Sequence, residues 1–148
     1  MVAPMAGREQ FLEIGPLPLR GASASSDPSA FDRRARLWQC AAGLSGAVGV
    51  IAGALGAHVV SDAALAKLAD TASYYQLIHA AALLWLASRE RRGLRAARWL
   101  FLAGTVLFCG TLYLKAFGVW PAAVALAPAG GVSFIAGWVA VAVDAWLC

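Results

Sequence analysis

Residues 37–60 read LWQCAAGLSGAVGVIAGALGAHVV, a run without a single Asp, Glu, Lys or Arg. A helix needs about 20 apolar residues to cross about 30 Å of hydrocarbon, so this run predicts a membrane span. It is too long for the apolar core of an internal signal sequence cleaved near Ala57, which would run to roughly 7–15 residues. Small residues recur through it at steps of four and three: Ala42, Gly46, Gly49, Gly53 and Gly56. A parallel ridge, Ser45, Gly49, Gly53 and Ala57, recurs every four. Both patterns put small side chains on one helix face. Lipid supplies little hydrophobic drive between helices, so close backbone approach through such a face favours association.

On the N-terminal side, Arg33, Arg34 and Arg36 stand directly before the run. The preceding residues 1–32 are rich in Pro, Gly, Ser and Ala without a sustained period, and predict a disordered extension, or an upstream start codon. On the C-terminal side, residues 61–71 are a short polar connection. Within it Ser61 or Asp62 is placed to cap a short interfacial helix carrying Leu65 and Leu68. A second span follows over about 72–88, then a basic loop with Arg89, Arg91, Arg92, Arg95 and Arg98. A third span covers about 99–119 and ends before Pro121. The fourth, over about 125–146, repeats the small-residue device at Gly130, Ser133, Gly137 and Ala140, with Gly131 beside it and Asp144 a turn further on.

The expected fold is therefore all-α, an integral membrane four-helix bundle. Ten of the twelve basic residues are Arg, and eight of these lie in the two runs that flank spans. Only Lys67 and Lys115 fall toward the opposite side, so the positive-inside rule predicts cytoplasmic N- and C-termini. Trp38, Trp85, Trp99 and Trp146 then lie near the inner interface and Trp120 near the outer one, the pattern of an aromatic belt.

Composition agrees. Hydrophobic residues make up 61% and charged residues 14%, against roughly 45–50% and about 25% in soluble domains. The net charge of +4 sits at span ends rather than on an aromatic-interleaved face, which argues against a nucleic-acid partner. Cys40, Cys109 and Cys148 form no CxxC pair and have no His at zinc-ligand spacing, so no metal site is expected. The lipid bilayer is the first partner, and a membrane-protein complex or homo-oligomer the second.

Polar residues within spans are expensive and call for an explanation. The second span opens YYQLIHAAALLWL over residues 74–86, with His79 about 10 Å deep at 1.5 Å per residue. Tyr75 and His79 lie four apart on one face. Topology brings His58, Tyr75, Gln76, His79 and Tyr113 to one level of the membrane, a candidate ligand or polar cluster. Two uses compete. The cluster can serve a ligand: haem through His, a quinone through hydrogen bonds, or a proton relay. Alternatively, His79 simply bridges helices.

These residues also carry a resemblance. GALGAH over 53–58, YQLIHA over 75–80, FCGTLY over 108–113, PAGG over 128–131 and FIAGW over 134–138 occur in order. Together they resemble the small membrane-protein family filed as domain of unknown function 423, which includes the eukaryotic transmembrane protein 256. The resemblance covers about residues 37–143 and implies a four-helix integral membrane protein. It implies no activity. Val59 stands where the family pattern usually has Gly.

No paired-carboxylate site, HExxH or GxSxG is present, and His58 and His79 have no acid beside them to orient a base. An enzyme is therefore the least supported class, and no cofactor is assigned. The sequence favours a non-enzymatic accessory or assembly component of the membrane, with the small-ligand site as the alternative.

Overall fold

The computed structural model describes residues 28–89 and 91–147, with side chains from residue 33 onward. Helix α1 spans Pro28–Val59, α2 Ala63–Leu86 and α3 Arg92–Ala116; a 3-10 turn, Pro121–Leu126, leads into α4, Ala127–Trp146. Among the described residues there is no strand. The extension expected over 1–32 lies, up to residue 27, outside the described residues. Its last residues belong to α1, which opens on Pro28, where a missing N–H costs nothing.

The connection after α1 differs from the short separate helix expected there. Asp62 is the cap: its carboxylate accepts from the backbone N–H groups of Ala64 and Leu65 at 2.8 and 2.9 Å. The helix it starts then continues without a break to Leu86. No Gly or Pro interrupts residues 63–86, and Lys67 pairs with Asp70 one turn on at 2.9 Å, so nothing ends the helix before the apolar stretch begins.

Helix α3 is uneven. Residues Thr105–Gly110 form a π segment between α-helical parts Arg92–Gly104 and Thr111–Ala116. Two threonines bracket it and bond back to the turn behind them: Thr105 Oγ1 to the Phe101 carbonyl at 2.9 Å, Thr111 Oγ1 to the Leu107 carbonyl at 2.6 Å. Such back-bonding bends helices, and π segments gather where packing distorts the ladder. The chain turns after α3 at Gly118, whose φ of 71° only glycine adopts without strain.

Three stretches are long and apolar enough to cross a membrane: Arg33–Val59, Arg92–Ala116 and Pro121–Trp146. Helix α2 has the length but carries Lys67, Asp70, Gln76 and His79 among its apolar residues. The helices pack as two pairs, α1 on α2 and α3 on α4, with α2 joining them through α3. Leu83 and Leu86 of α2 and Phe101 and Cys109 of α3 form the fully buried centre. Leu44, Val48, Ile51 and Leu55 of α1 and Val132, Ile135 and Val139 of α4 face outward.

At the Arg-rich end, Arg91 closes the bundle. Its Nε meets Asp144 Oδ2 at 3.0 Å and its Nη2 donates to the Asp144 carbonyl at 2.8 Å. Arg89 lies 4.0 Å over the Trp85 ring.

Candidate functional site

The α1–α2 pair is assembled by small residues. A Cβ built on Gly46 lies 3.9 Å from Ala80 Cβ, and one on Gly49 lies 3.4 Å from Gln76 and Leu77. On Gly53 it would overlap Ser73, and on Gly56 it would overlap Ala69. The antiparallel register brings α2 close enough for its polar side chains to reach the α1 backbone. Ser73 Oγ donates to the Gly49 carbonyl at 2.8 Å, and Gln76 Nε2 donates to the Ser45 carbonyl at 2.8 Å. Each uses the second lone pair of a helical carbonyl. Gln76 Oε1 and the Tyr113 hydroxyl, the latter beside Ser73, are buried without a hydrogen-bond partner.

His79 lies on another face of α2, only 3% exposed. Its Nδ1 is 2.7 Å from the Tyr75 carbonyl oxygen. A carbonyl only accepts, so Nδ1 carries the proton and donates. Nε2 then keeps a lone pair, and it accepts Trp138 Nε1–H at 3.2 Å. Both ring nitrogens are thus engaged within the protein, in one tautomer of the neutral ring.

Aromatic rings enclose this imidazole. Phe134 stacks on it with centroids 3.6 Å apart and planes 14° from parallel, and Phe101 meets it at 5.1 Å and 65°. Tyr75 and Phe108 extend the group, at 5.0 Å from one another. Glycines make room for the rings. A Cβ on Gly137 would run into Phe101, one on Gly104 into Phe134, and one on Gly130 into the Phe108 backbone. Gly131 has open space where its Cβ would lie.

The sequence-predicted residues therefore divide. Tyr75 and His79 share the aromatic group, while Gln76 and Tyr113 belong to the α1–α2–α3 side with Ser73. His58 joins neither. It is exposed near the end of α1, roughly 18 Å along the helix from the level of His79, counting from the Gly46–Ala80 register. The partners that sequence reasoning did not name are Trp138, Phe134 and Ser73. Phe134 opens and Trp138 closes the last of the quoted motifs, but nothing in their spacing points to a histidine 55 and 59 residues earlier.

Among the described residues, no group of three or more His, Cys, Asp or Glu side chains is placed to hold a metal ion. Cys109 is buried in the π segment and Cys40 is exposed on α1.

A family model described as a protein of unknown function, DUF423, matches residues 52–131. The UPF0382 inner membrane protein YgdD of Escherichia coli K12 is 41% identical over 113 residues, covering 70% of this chain and 85% of the relative. A UPF0382 membrane protein of Haemophilus influenzae is 36% identical over 105 residues, 67% of this chain and 85% of its own. The Staphylococcus aureus UPF0382 membrane protein SAB0533 is 33% identical over 103 residues, 65% of this chain and 84% of its own. No solved structure matches.

Proposed function

Since the chain belongs to the DUF423 family of membrane proteins of unknown function, we propose that it is a non-enzymatic accessory or assembly component of the bacterial inner membrane. All four helices cross the bilayer in this reading, with both termini and the Arg-rich loop cytoplasmic. The charge distribution supports that orientation: Arg33, Arg34 and Arg36 share an end with Arg89, Arg91, Arg92, Arg95 and Arg98, while Lys67 and Lys115 lie toward the other. Helix α2 completes the set by burying Ser73, Gln76 and His79 against its neighbours, while the exposed Lys67–Asp70 pair stays at its outer end.

One observation carries the non-enzymatic reading. His79, the deepest ionisable group of the second span, spends both nitrogens on the protein itself. To ligate haem iron or pass a proton through Nε2 it would have to release Trp138. Its remaining neighbours are rings rather than acids, so no carboxylate is at hand to stabilise a protonated ring. Gentle detergent extraction followed by native mass measurement tests the reading. A stable species larger than the 15.4 kDa chain is expected, either with a second polypeptide or as an oligomer. Only monomer under gentle extraction contradicts it.

A second reading rests on a different observation. Gln76 Oε1, an acceptor, is buried and without a hydrogen-bond partner. A small neutral molecule that donates to Gln76 Oε1, a quinol or a water, would complete it. Organic extraction of the purified protein, followed by chromatography for quinones, tests this. A bound quinone lost in Gln76→Leu supports it, and its absence from the wild type removes the quinone form.

A further inference from the structure

At the Arg-rich end the two helix pairs do not close on each other. Helices α1 and α3 pack little along their lengths and meet there through Trp38 and Trp99, edge to face with centroids 4.9 Å apart. Beside this contact an open groove of about 720 Å³ runs between the helices. Arg34 and Arg95, both exposed, stand at its rim, and Arg98 reaches its wall with its guanidinium 5.4 Å over the Trp38 ring. Leu102 and the two tryptophans give it an apolar floor, and no acidic side chain among the described residues lines it.

Cations at the rim and an apolar floor below, at the level where tryptophans mark the membrane interface, form an amphipathic site. Its two halves match the two halves of a lipid. A basic pocket between spanning helices at this depth is suited to anionic headgroups. A free phosphate would leave the floor uncovered, and a zwitterionic headgroup would bring its own cation against Arg34 and Arg95. We propose that this groove holds one anionic phospholipid, its phosphodiester at Arg34 and Arg95 and an acyl chain along Leu102. The site rests on the helices crossing a bilayer with their Arg-rich ends at the headgroups, and is independent of any accessory role.

The test is native mass spectrometry of the full-length protein in mild detergent, titrated with phosphatidylglycerol or with phosphatidylcholine. The wild type is expected to retain one phosphatidylglycerol at concentrations where phosphatidylcholine does not bind. Arg34→Gln with Arg95→Gln should weaken phosphatidylglycerol binding about tenfold or more. Arg92→Gln, which removes a charge at the same end outside the groove, should change it less than about twofold. Ala41→Phe fills the groove and should also reduce binding, with every charge in place. Equal retention of both lipids overturns the proposal. So does an Arg92→Gln loss as large as that of the pair, or displacement of the lipid by millimolar glycerol phosphate. A protein that fails to enter membranes at all would instead contradict the spanning reading beneath it.

Discussion

Trp138 Nε1–H donates to His79 Nε2 over 3.2 Å and so ties α4 to α2, across 59 residues of sequence. Because the other ring nitrogen is already committed to the Tyr75 carbonyl, the bond also selects the tautomer of the histidine. An imidazole placed in the apolar part of a bundle without such partners would be strongly unfavourable. With them it becomes a rigid aromatic surface on which Phe134 stacks.

Trp138→Phe keeps the aromatic volume and removes only the donor. The expected cost is about 1 kcal/mol, the upper part of the range for interhelical hydrogen bonds in membranes. His79→Ala removes the ring that Phe134 and Phe101 pack on, and is expected to cost more, about 2–4 kcal/mol. The double mutant should recover a coupling energy on the order of 1 kcal/mol, measured by reversible unfolding in mixed micelles. Strict additivity would mean that the two side chains do not interact.

Glycines within the same bundle should respond unequally to Ala. Gly56→Ala places a methyl group into Ala69 of the facing helix, and the helices can accept it only by moving apart. A loss of about 1–3 kcal/mol is expected, as for overpacked cores. Gly131→Ala meets open space and should lie within about 0.5 kcal/mol of wild type. Thermal unfolding in one detergent compares them directly, and similar shifts would contradict the α1–α2 packing described.

The Arg91–Asp144 pair joins the loop after α2 to the end of α4, and the Asp144 side chain is only 11% exposed. Asp144→Asn keeps the shape and removes the charge. It should destabilise the bundle by about 1–2 kcal/mol, more than an exposed pair but less than a fully buried one. Replacing Arg91 as well also removes its exposed hydrogen bond to the Asp144 carbonyl and should add about 0.5–1 kcal/mol. Lys67→Ala, which breaks the exposed pair with Asp70, is expected to be nearly neutral.

Topology is open to a labelling experiment in a chain whose three cysteines are replaced by Ala. Cysteine at Ser61, between α1 and α2, should react with a membrane-impermeant maleimide in spheroplasts. Cysteine at Ser88, at the other end of α2, should react only after lysis. The opposite result reverses the orientation, and equal labelling of both would remove α2 from the spans.

Much of this architecture is legible in the sequence, because membrane helices announce themselves through uninterrupted apolar length. The charge-free run at 37–60 predicts a helix, and α1 contains all of it but Val60. The spacing of Gly46, Gly49, Gly53 and Gly56 places them on one face, and that face meets α2. Other features are hidden for physical reasons. The continuity of α2 depends on what is missing between Asp70 and Tyr74, a helix breaker, rather than on any positive signal. The π segment lies where Phe134 packs on Gly104 and the Phe108 backbone packs on Gly130, contacts that no local pattern encodes. Equal membrane depth also proved a coarse guide to contact: Gln76 and His79 are three residues apart yet serve different helix interfaces. His58 does not share their level at all, lying at the far end of α1.

His79, the buried histidine of α2, is committed to the protein's own interior. The most direct test is the ¹⁵N spectrum of histidine-labelled protein in mild detergent at neutral pH, compared with His58→Gln to assign the two residues. The His79 ring is expected to be protonated at Nδ1 and bare at Nε2, with the Nε2 resonance shifted by Trp138→Phe. A ring protonated at Nε2, or one whose signals move on adding haem or quinone while Trp138→Phe leaves them unchanged, would contradict it.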